Sequence, residues 1–165
     1  MQSQIQCPDC KAFVPNIEGP VHAYIGGSAG CWQIYGEILA KEYSDPAYWK
    51  VHRLTVDAYM AQHPGKPSRQ AIQSVNVHLL ALYLIFEKHY SFDAACKALG
   101  DIIKKKKGRF TWLSQPEDLG TITVVDVTGA QDAHEHEQRV IAWAKSVWAA
   151  WLPHHSSIEA LAKEL

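Results

Sequence analysis

Long apolar runs are missing from this chain of 165 residues. A membrane-spanning helix needs about 20 consecutive apolar residues, and the best stretch, residues 75–86, is interrupted by Asn76 and His78. The first six residues also lack the basic start and the apolar centre of a secretory signal peptide. These absences predict a soluble protein with no membrane partner, and we expect it to be cytoplasmic.

An excess of charge of either sign is missing as well. The chain has 16 Lys and Arg against 17 Asp and Glu, a formal net charge of −1. Nucleic-acid binding usually requires a basic surface, and the one basic run, residues 104–107, is typical of a helix C-terminus. We therefore expect no nucleic-acid partner. The oligomeric state stays open.

Familiar enzyme motifs are absent too. The chain has no HExxH sequence, and its glycine-rich stretch, residues 26–30, lacks the lysine of a phosphate-binding P-loop. The sequence therefore does not name a reaction or a substrate.

The chain has only four cysteines, and three of them lie within the first 31 residues. Cys7 and Cys10 are separated by two residues, a spacing that directs two thiolates at one metal ion, typically zinc. Cys31 is the natural third ligand, because it falls near a predicted helix N-terminus, where the helix dipole favours thiolate. His22 is the nearest imidazole. The sequence therefore predicts a zinc site formed by Cys7, Cys10, His22 and Cys31.

Two parts of this hypothesis stay open. Another helix could supply the fourth ligand through His52, His63 or His78. Cys7 and Cys10 could also be reduced thiols without a metal, or a redox pair, although the strand-then-helix setting of thioredoxin-like motifs is missing.

Most of the remaining chain has the apolar periodicity and the capping residues of helices. The predicted helices cover residues 28–43, 45–62, 68–89, 91–107 and 132–151, and a short amphipathic helix follows Pro153. One segment, residues 121–127, is rich in β-branched residues and is predicted as a strand. Residues 1–28 have no periodicity, and a bound metal would supply their order.

These elements predict a mainly α-helical bundle with an irregular N-terminal zinc knuckle and at most one short β element. We expect a single domain over residues 1–165. In it, the knuckle segment, residues 1–31, packs on a helical body, residues 32–165.

Several ionisable residues interrupt the apolar faces of the helices. His52 and His63 lie eleven positions apart and return to nearly the same helix face. Asp57 has small apolar neighbours, so we expect it to pair with Arg53. His78 interrupts the apolar stripe of the next helix. The candidate catalytic residues are therefore His52, Asp57, His63 and His78.

His136 extends an apolar stripe of the last long helix, so three or four helices could each deliver a histidine to one interior. Such an arrangement suits an open catalytic metal site. The alternative is that these histidines are hydrogen-bonded core residues.

The chain resembles an uncharacterised bacterial family, a domain of unknown function, over nearly its whole length. The resemblance is carried by CPDCKA (7–12), GPVHAY (19–24), GCW (30–32), HRLTVDAYMAQHPG (52–65), QSVNVHL (73–79) and WAKSVWAAWLPHH (143–155). It implies that Cys7, Cys10, His22, Cys31, His52, Asp57, His63 and His78 form a functional unit. Lys11 stands where such a knuckle usually has glycine. The resemblance implies no activity.

Two functional hypotheses follow from these patterns. The first is a zinc-dependent enzyme whose pocket, lined by histidine and aspartate, acts on a small molecule by hydrolysis or proton transfer. The second is a binding or regulatory module in which zinc only holds the knuckle in place.

Overall fold

The computed structural model of the protein describes residues 3–106 and 109–164. Its elements are β1 (Gln4–Gln6), β2 (Phe13–Pro15), α1 (Ala29–Ser44), α2 (Pro46–Trp49), α3 (His52–Gln62), α4 (Arg69–Phe86), α5 (Phe92–Lys106), α6 (Val124–Val127), α7 (Ala133–Ala150) and α8 (His155–Ala162), with a 3-10 turn at Leu152–His154. The predicted class, mainly helical with an N-terminal knuckle, is confirmed. The predicted end of the fourth helix at Lys107 lies outside the described residues. No helix in the described ranges has the length and apolarity to cross a membrane.

Hydrogen-bonding side chains cap the N-termini of the long helices. Ser28, Ser68 and Asp132 each accept a backbone N–H from the first turn of α1, α4 and α7, respectively. These bonds satisfy amide groups that have no partner inside the helix. The caps explain why these helix starts can be predicted from sequence.

One long helix was predicted over residues 45–62, but the structure divides it. The chain leaves helical geometry after α2, and Val51 takes φ −103° and ψ 2° before α3 begins. This break buries Val51, and Trp49 then stacks on the imidazole of His52 with ring centroids 4.2 Å apart.

The N-terminal segment was predicted to be irregular, and its start is instead a β-hairpin. β1 and β2 pair antiparallel, with Ile5 opposite Val14. Lys11, in the turn between them, has φ +62°, a left-handed conformation that glycine adopts more readily. This conformation explains why such a knuckle usually has glycine at that position.

The strand predicted over residues 121–127 is wrong, because that segment forms the single helical turn α6. Thr123 and Asp126 form a capping box, in which the Asp126 carboxylate accepts the Thr123 backbone N–H at 2.7 Å. Val124 and Val127 are both buried. Their three-residue spacing suits a helix face, so local capping and burial outweigh the β propensity of the segment.

α3 packs against both α4 and α7. Two buried tryptophans, Trp143 in α7 and Trp151 directly after it, form hydrogen bonds with the C-terminal end of α3. The Trp143 indole donates to Gln62 Oε1 at 2.8 Å, and the Trp151 indole donates to the Ala61 carbonyl at 3.0 Å. The Gln62 amide in turn donates to the Leu119 and Ile122 carbonyls. The end of α3, immediately before His63, is therefore anchored in the core.

Candidate metal centre

Four buried side chains of metal-ligating type converge near the N-terminus. One ligand atom from each of Cys7, Cys10, Cys31 and His63 lies within 4.8 Å of the others. Cys31 Sγ is 3.3 Å from His63 Nε2 and 3.9 Å from Cys10 Sγ. Three sulfurs and one imidazole form a donor set that zinc prefers in tetrahedral sites. This group could hold a metal ion.

The ligands come from three separate segments of the chain. Cys7 and Cys10 sit on the knuckle that follows β1, where the Cys7 backbone N–H donates to the Ala12 carbonyl at 2.8 Å. Cys31 lies in the first turn of α1, and its backbone N–H donates to the Ser28 hydroxyl at 3.3 Å. The positive end of the helix dipole favours a thiolate there. A bound cation would join the hairpin, α1 and the end of α3.

The orientation of His63 suits metal binding. His63 caps the C-terminus of α3, and its Nδ1 lies 2.7 Å from the Tyr59 carbonyl oxygen. Nδ1 must donate this bond, so in the neutral imidazole Nε2 carries the lone pair and faces the sulfurs. Metal-ligating histidines are commonly oriented by such a carbonyl. The Tyr59 ring also stacks on His63, and its hydroxyl donates to Cys31 Sγ at 3.6 Å.

The close approach of these side chains shifts the pKa values of three of them. Hydrogen bonds with Cys10 and Cys31 lower the pKa of the Cys7 thiol, whereas hydrogen bonds with Cys10 and Cys7, together with burial, raise the pKa of the Cys31 thiol. Burial lowers the pKa of His63, but hydrogen bonds with Cys10 and Cys7 outweigh it and raise this pKa to about 9. A divalent cation would balance the charge of several thiolates at once.

Close backbone contacts surround the group. A Cβ added to Gly65, whose φ is +68°, would lie 2.5 Å from the Tyr24 carbonyl oxygen, and the Gly65 N–H donates to Asp9 Oδ2 at 3.0 Å. A Cβ added to Gly30 would clash with the Pro15 carbonyl oxygen. The hairpin, the loop around Tyr24 and the turn after α3 are thus packed directly against one another.

His22, the fourth ligand expected from sequence, is not part of this group. Its ring packs edge-on against Tyr24, with centroids 4.3 Å apart, and it lies near Trp32. His63 occupies the fourth position, as one of the alternatives left open had allowed. The hydrogen bonds from Trp143 and Trp151 fix the end of α3, which places His63 beside the sulfurs. The position of His63 thus depends on residues that are distant in sequence.

The structure does not gather the predicted catalytic residues into one pocket. His63 belongs to the metal-ligating group, whereas His52 lies at the other end of α3, roughly 16 Å away for eleven helical residues at 1.5 Å each. His52 Nδ1 bonds Glu42 Oε2 at 2.8 Å, and His78 Nδ1 bonds Asp57 Oδ1 at 2.7 Å. His52 and His78 therefore belong to two separate carboxylate–imidazole pairs, Glu42–His52 and Asp57–His78.

The expected pairing of Asp57 with Arg53 is present. Arg53 Nη2 lies 3.1 Å from Asp57 Oδ1, and Arg53 Nε donates to Oδ2 at 3.2 Å. The Asp57 side chain is fully buried. A buried carboxylate requires such compensation, because removing it from water is costly.

Sequence reasoning missed Glu42, which is fully buried and accepts three hydrogen bonds. Its donors are His52 Nδ1 at 2.8 Å, His136 Nε2 at 2.8 Å and the Thr55 hydroxyl at 2.5 Å. These bonds join α1, α3 and α7. The sequence pattern contained a signal for the burial of Glu42, because Glu42 lies four residues after Ile38 and therefore on the same, buried side of α1.

Comparison with known proteins identifies a family but no characterised relative. No curated protein and no solved structure matches the chain. A family described as being of unknown function, DUF5946, matches residues 5–152, a range that includes all four residues of the metal-ligating group. The chain therefore belongs to the DUF5946 family of unknown function.

Proposed function

We propose that the protein binds one zinc ion through Cys7, Cys10, Cys31 and His63, and that this ion is structural. The observation that carries the proposal is the convergence of four buried ligand atoms. Structural zinc sites have four protein ligands, whereas catalytic sites keep one position for water or substrate. Four protein ligands thus favour a zinc ion that holds the knuckle in place over a zinc ion that takes part in catalysis.

The proposed ion would act by joining segments that are distant in sequence. The hairpin consists of two three-residue strands, and a metal site typically adds its binding free energy to the stability of the fold. Thiolate ligands also require a reducing environment, which fits a protein of the bacterial cytoplasm.

The identity of the fourth ligand can be tested with a matched pair of histidine variants. We expect His63→Ala to lower the zinc content of the purified protein to well below one ion per chain, because only three ligands remain. His22→Ala should keep the wild-type zinc content. Elemental analysis of protein purified without chelators or oxygen measures both. Equal zinc contents in the two variants would contradict the proposed ligand set.

A second candidate function is acid–base catalysis, with His52, Asp57 and His78 as the residues involved. The observation that favours it is that each imidazole is oriented by a fully buried carboxylate, at 2.8 Å for Glu42 and 2.7 Å for Asp57. Both bonds use Nδ1. Each imidazole is thus held with Nε2 as the remaining nitrogen, which is the arrangement found in general bases.

The tautomers of these histidines test this second candidate. Nitrogen-detected NMR spectra of neutral imidazoles should show the proton on Nδ1 in His52 and His78. His136 is the internal control, because its Nε2 faces Glu42 and should carry the proton. The opposite tautomer at His78 would mean that Nε2 cannot accept a proton from a substrate, and would overturn an acid–base role for that residue.

A further inference from the structure

The Asp57–His78 pair opens onto a cleft that the zinc proposal does not use. His78 lies on α4, its side chain is 15% exposed, and it lines a cleft of about 220 Å³. Its Nε2 makes no hydrogen bond within the described ranges, while Nδ1 is held by Asp57. The nitrogen that is not bonded to Asp57 is therefore available to a molecule in the cleft.

The charge around this imidazole is already balanced. The Asp57 carboxylate contacts the Arg53 guanidinium through both of its oxygens. The carboxylate thus has a counter-charge other than His78, and it orients the imidazole as it would a general base. The Glu42–His52 pair differs, since the three hydrogen-bond donors to Glu42 include no lysine or arginine.

The lining of the cleft indicates the kind of molecule that fits it. The residues around His78 are Tyr24, Gln70, Gln73, Ser74, Val77 and Ile103. None of these neighbours carries a charge at neutral pH. Amide and hydroxyl groups can bind a carbonyl or an alcohol, while Val77 and Ile103 offer apolar contact. The volume is below the roughly 300 Å³ at which drug-sized pockets begin, so the cleft suits a small, neutral, polar molecule.

We propose that this cleft hydrolyses small neutral acyl compounds such as esters, with His78 as the general base and Asp57 as a positioning residue. The proposal rests on the second candidate function above and names its substrate class; it is independent of the zinc ion. A water molecule attacks the acyl carbon while His78 Nε2 takes its proton. The bond to the leaving alcohol then breaks, and Nε2 returns the proton to the departing alkoxide. No oxidant, reductant or further reactant is required.

The Gln70 and Gln73 side chains have a defined role in this scheme. Both side chains are exposed, and their amide N–H groups can donate to the carbonyl oxygen as negative charge develops on it. Ser74 lies one helical turn before His78 on α4, so its hydroxyl faces the same part of the cleft. These groups bind the acyl compound beside Nε2.

Hydrolysis of p-nitrophenyl acetate, a small neutral ester, by the full-length zinc-loaded protein tests the proposal. We expect saturable turnover, and a kcat about 100-fold lower in His78→Gln, because general-base catalysis contributes at least that factor. Asp57→Asn should lower kcat with little change in KM, since an amide facing Nδ1 favours the other tautomer. His134→Gln changes an exposed histidine of α7 that does not line the cleft; it is the control and should match the wild type.

Gln73→Ala keeps the test decisive if Asp57→Asn does not fold. Gln73 is exposed on α4, so its replacement should leave the fold intact and raise KM or lower kcat. Turnover that is not saturable, or that is equal in wild type and His78→Gln, would overturn the ester-hydrolysis proposal. Tautomer spectra of the same samples distinguish failure of the ester-hydrolysis proposal from failure of the acid–base function. A proton on Nδ1 of His78 without turnover would overturn only the substrate class. A proton on Nε2 would overturn the acid–base function as well.

Discussion

Replacing Cys31 with serine is expected to abolish the proposed zinc binding and to lower the free energy of unfolding by more than about 4 kcal/mol, since loss of a metal site is among the few changes that destabilise so strongly. Cys31 Sγ lies 3.9 Å from Cys10 Sγ and 3.3 Å from His63 Nε2. A hydroxyl binds zinc poorly, so the hairpin, α1 and the end of α3 would lose their common attachment. Denaturant unfolding and elemental analysis measure both effects.

Cys96→Ser is the matched control for this prediction. Cys96 is an exposed free thiol outside the metal-ligating group, and surface substitutions usually change stability by less than about 0.5 kcal/mol. Chelation of the wild-type protein should reproduce the loss seen in Cys31→Ser. A Cys31→Ser protein with full zinc content and wild-type stability would show that the sulfurs do not hold the ion.

Replacing Glu42 with alanine is expected to lower the free energy of unfolding by about 3–5 kcal/mol, the range measured when one partner of a buried charged network is removed. The change leaves the N–H groups of His52 and His136 and the hydroxyl of Thr55 without their acceptor. Each buried donor without a partner costs roughly 1–3 kcal/mol. Denaturant unfolding of the purified protein measures the loss.

Glu37→Ala provides a control on the same helix with the same substitution. Glu37 is exposed and its carboxylate bonds Gln33, four residues earlier, so we expect a change within about 0.5 kcal/mol. Glu42→Gln should fall between the two variants, because an amide oxygen still accepts hydrogen bonds. Equal stability of Glu42→Ala and Glu37→Ala would mean that the network contributes little to the fold.

The two carboxylate–imidazole pairs contribute to stability in different ways. Asp57 is paired with a permanent cation, Arg53, on its own helix. Glu42 instead connects α1 to α3 and α7, so its loss should be felt by three elements of the bundle. The same type of contact therefore orients a histidine in both places; it joins α3 to α4 at Asp57, and it joins α1, α3 and α7 around Glu42.

The helix pattern was predictable because its causes are local. Ser28, Ser68 and Asp132 cap helices that begin within one or two residues of the expected positions. The β-branched segment at 121–127 misled the prediction because its capping box, Thr123 with Asp126, is as local as its β propensity. Two local preferences competed there, and the burial of the valines decided between them.

The candidate site, too, combines features that are local in the sequence with contacts between distant residues. The knuckle spacing of Cys7 and Cys10 and the helix-start position of Cys31 are local features, and they were enough to predict three of the four residues that converge. The choice of His63 over His22 could not be predicted from spacing, since it depends on the packing of α3 against α7. The partners of His52 and His78 likewise lie on other helices.

The amino-acid sequence alone determined where the helices of this protein begin, and which sulfurs could reach one ion, because capping and short spacings act between residues close in the chain. Tertiary structure decided which histidine completes the group and which carboxylate orients each remaining imidazole. Those contacts are made between helices, and a periodic pattern indicates which side of a helix is buried but not which residue of another helix it meets.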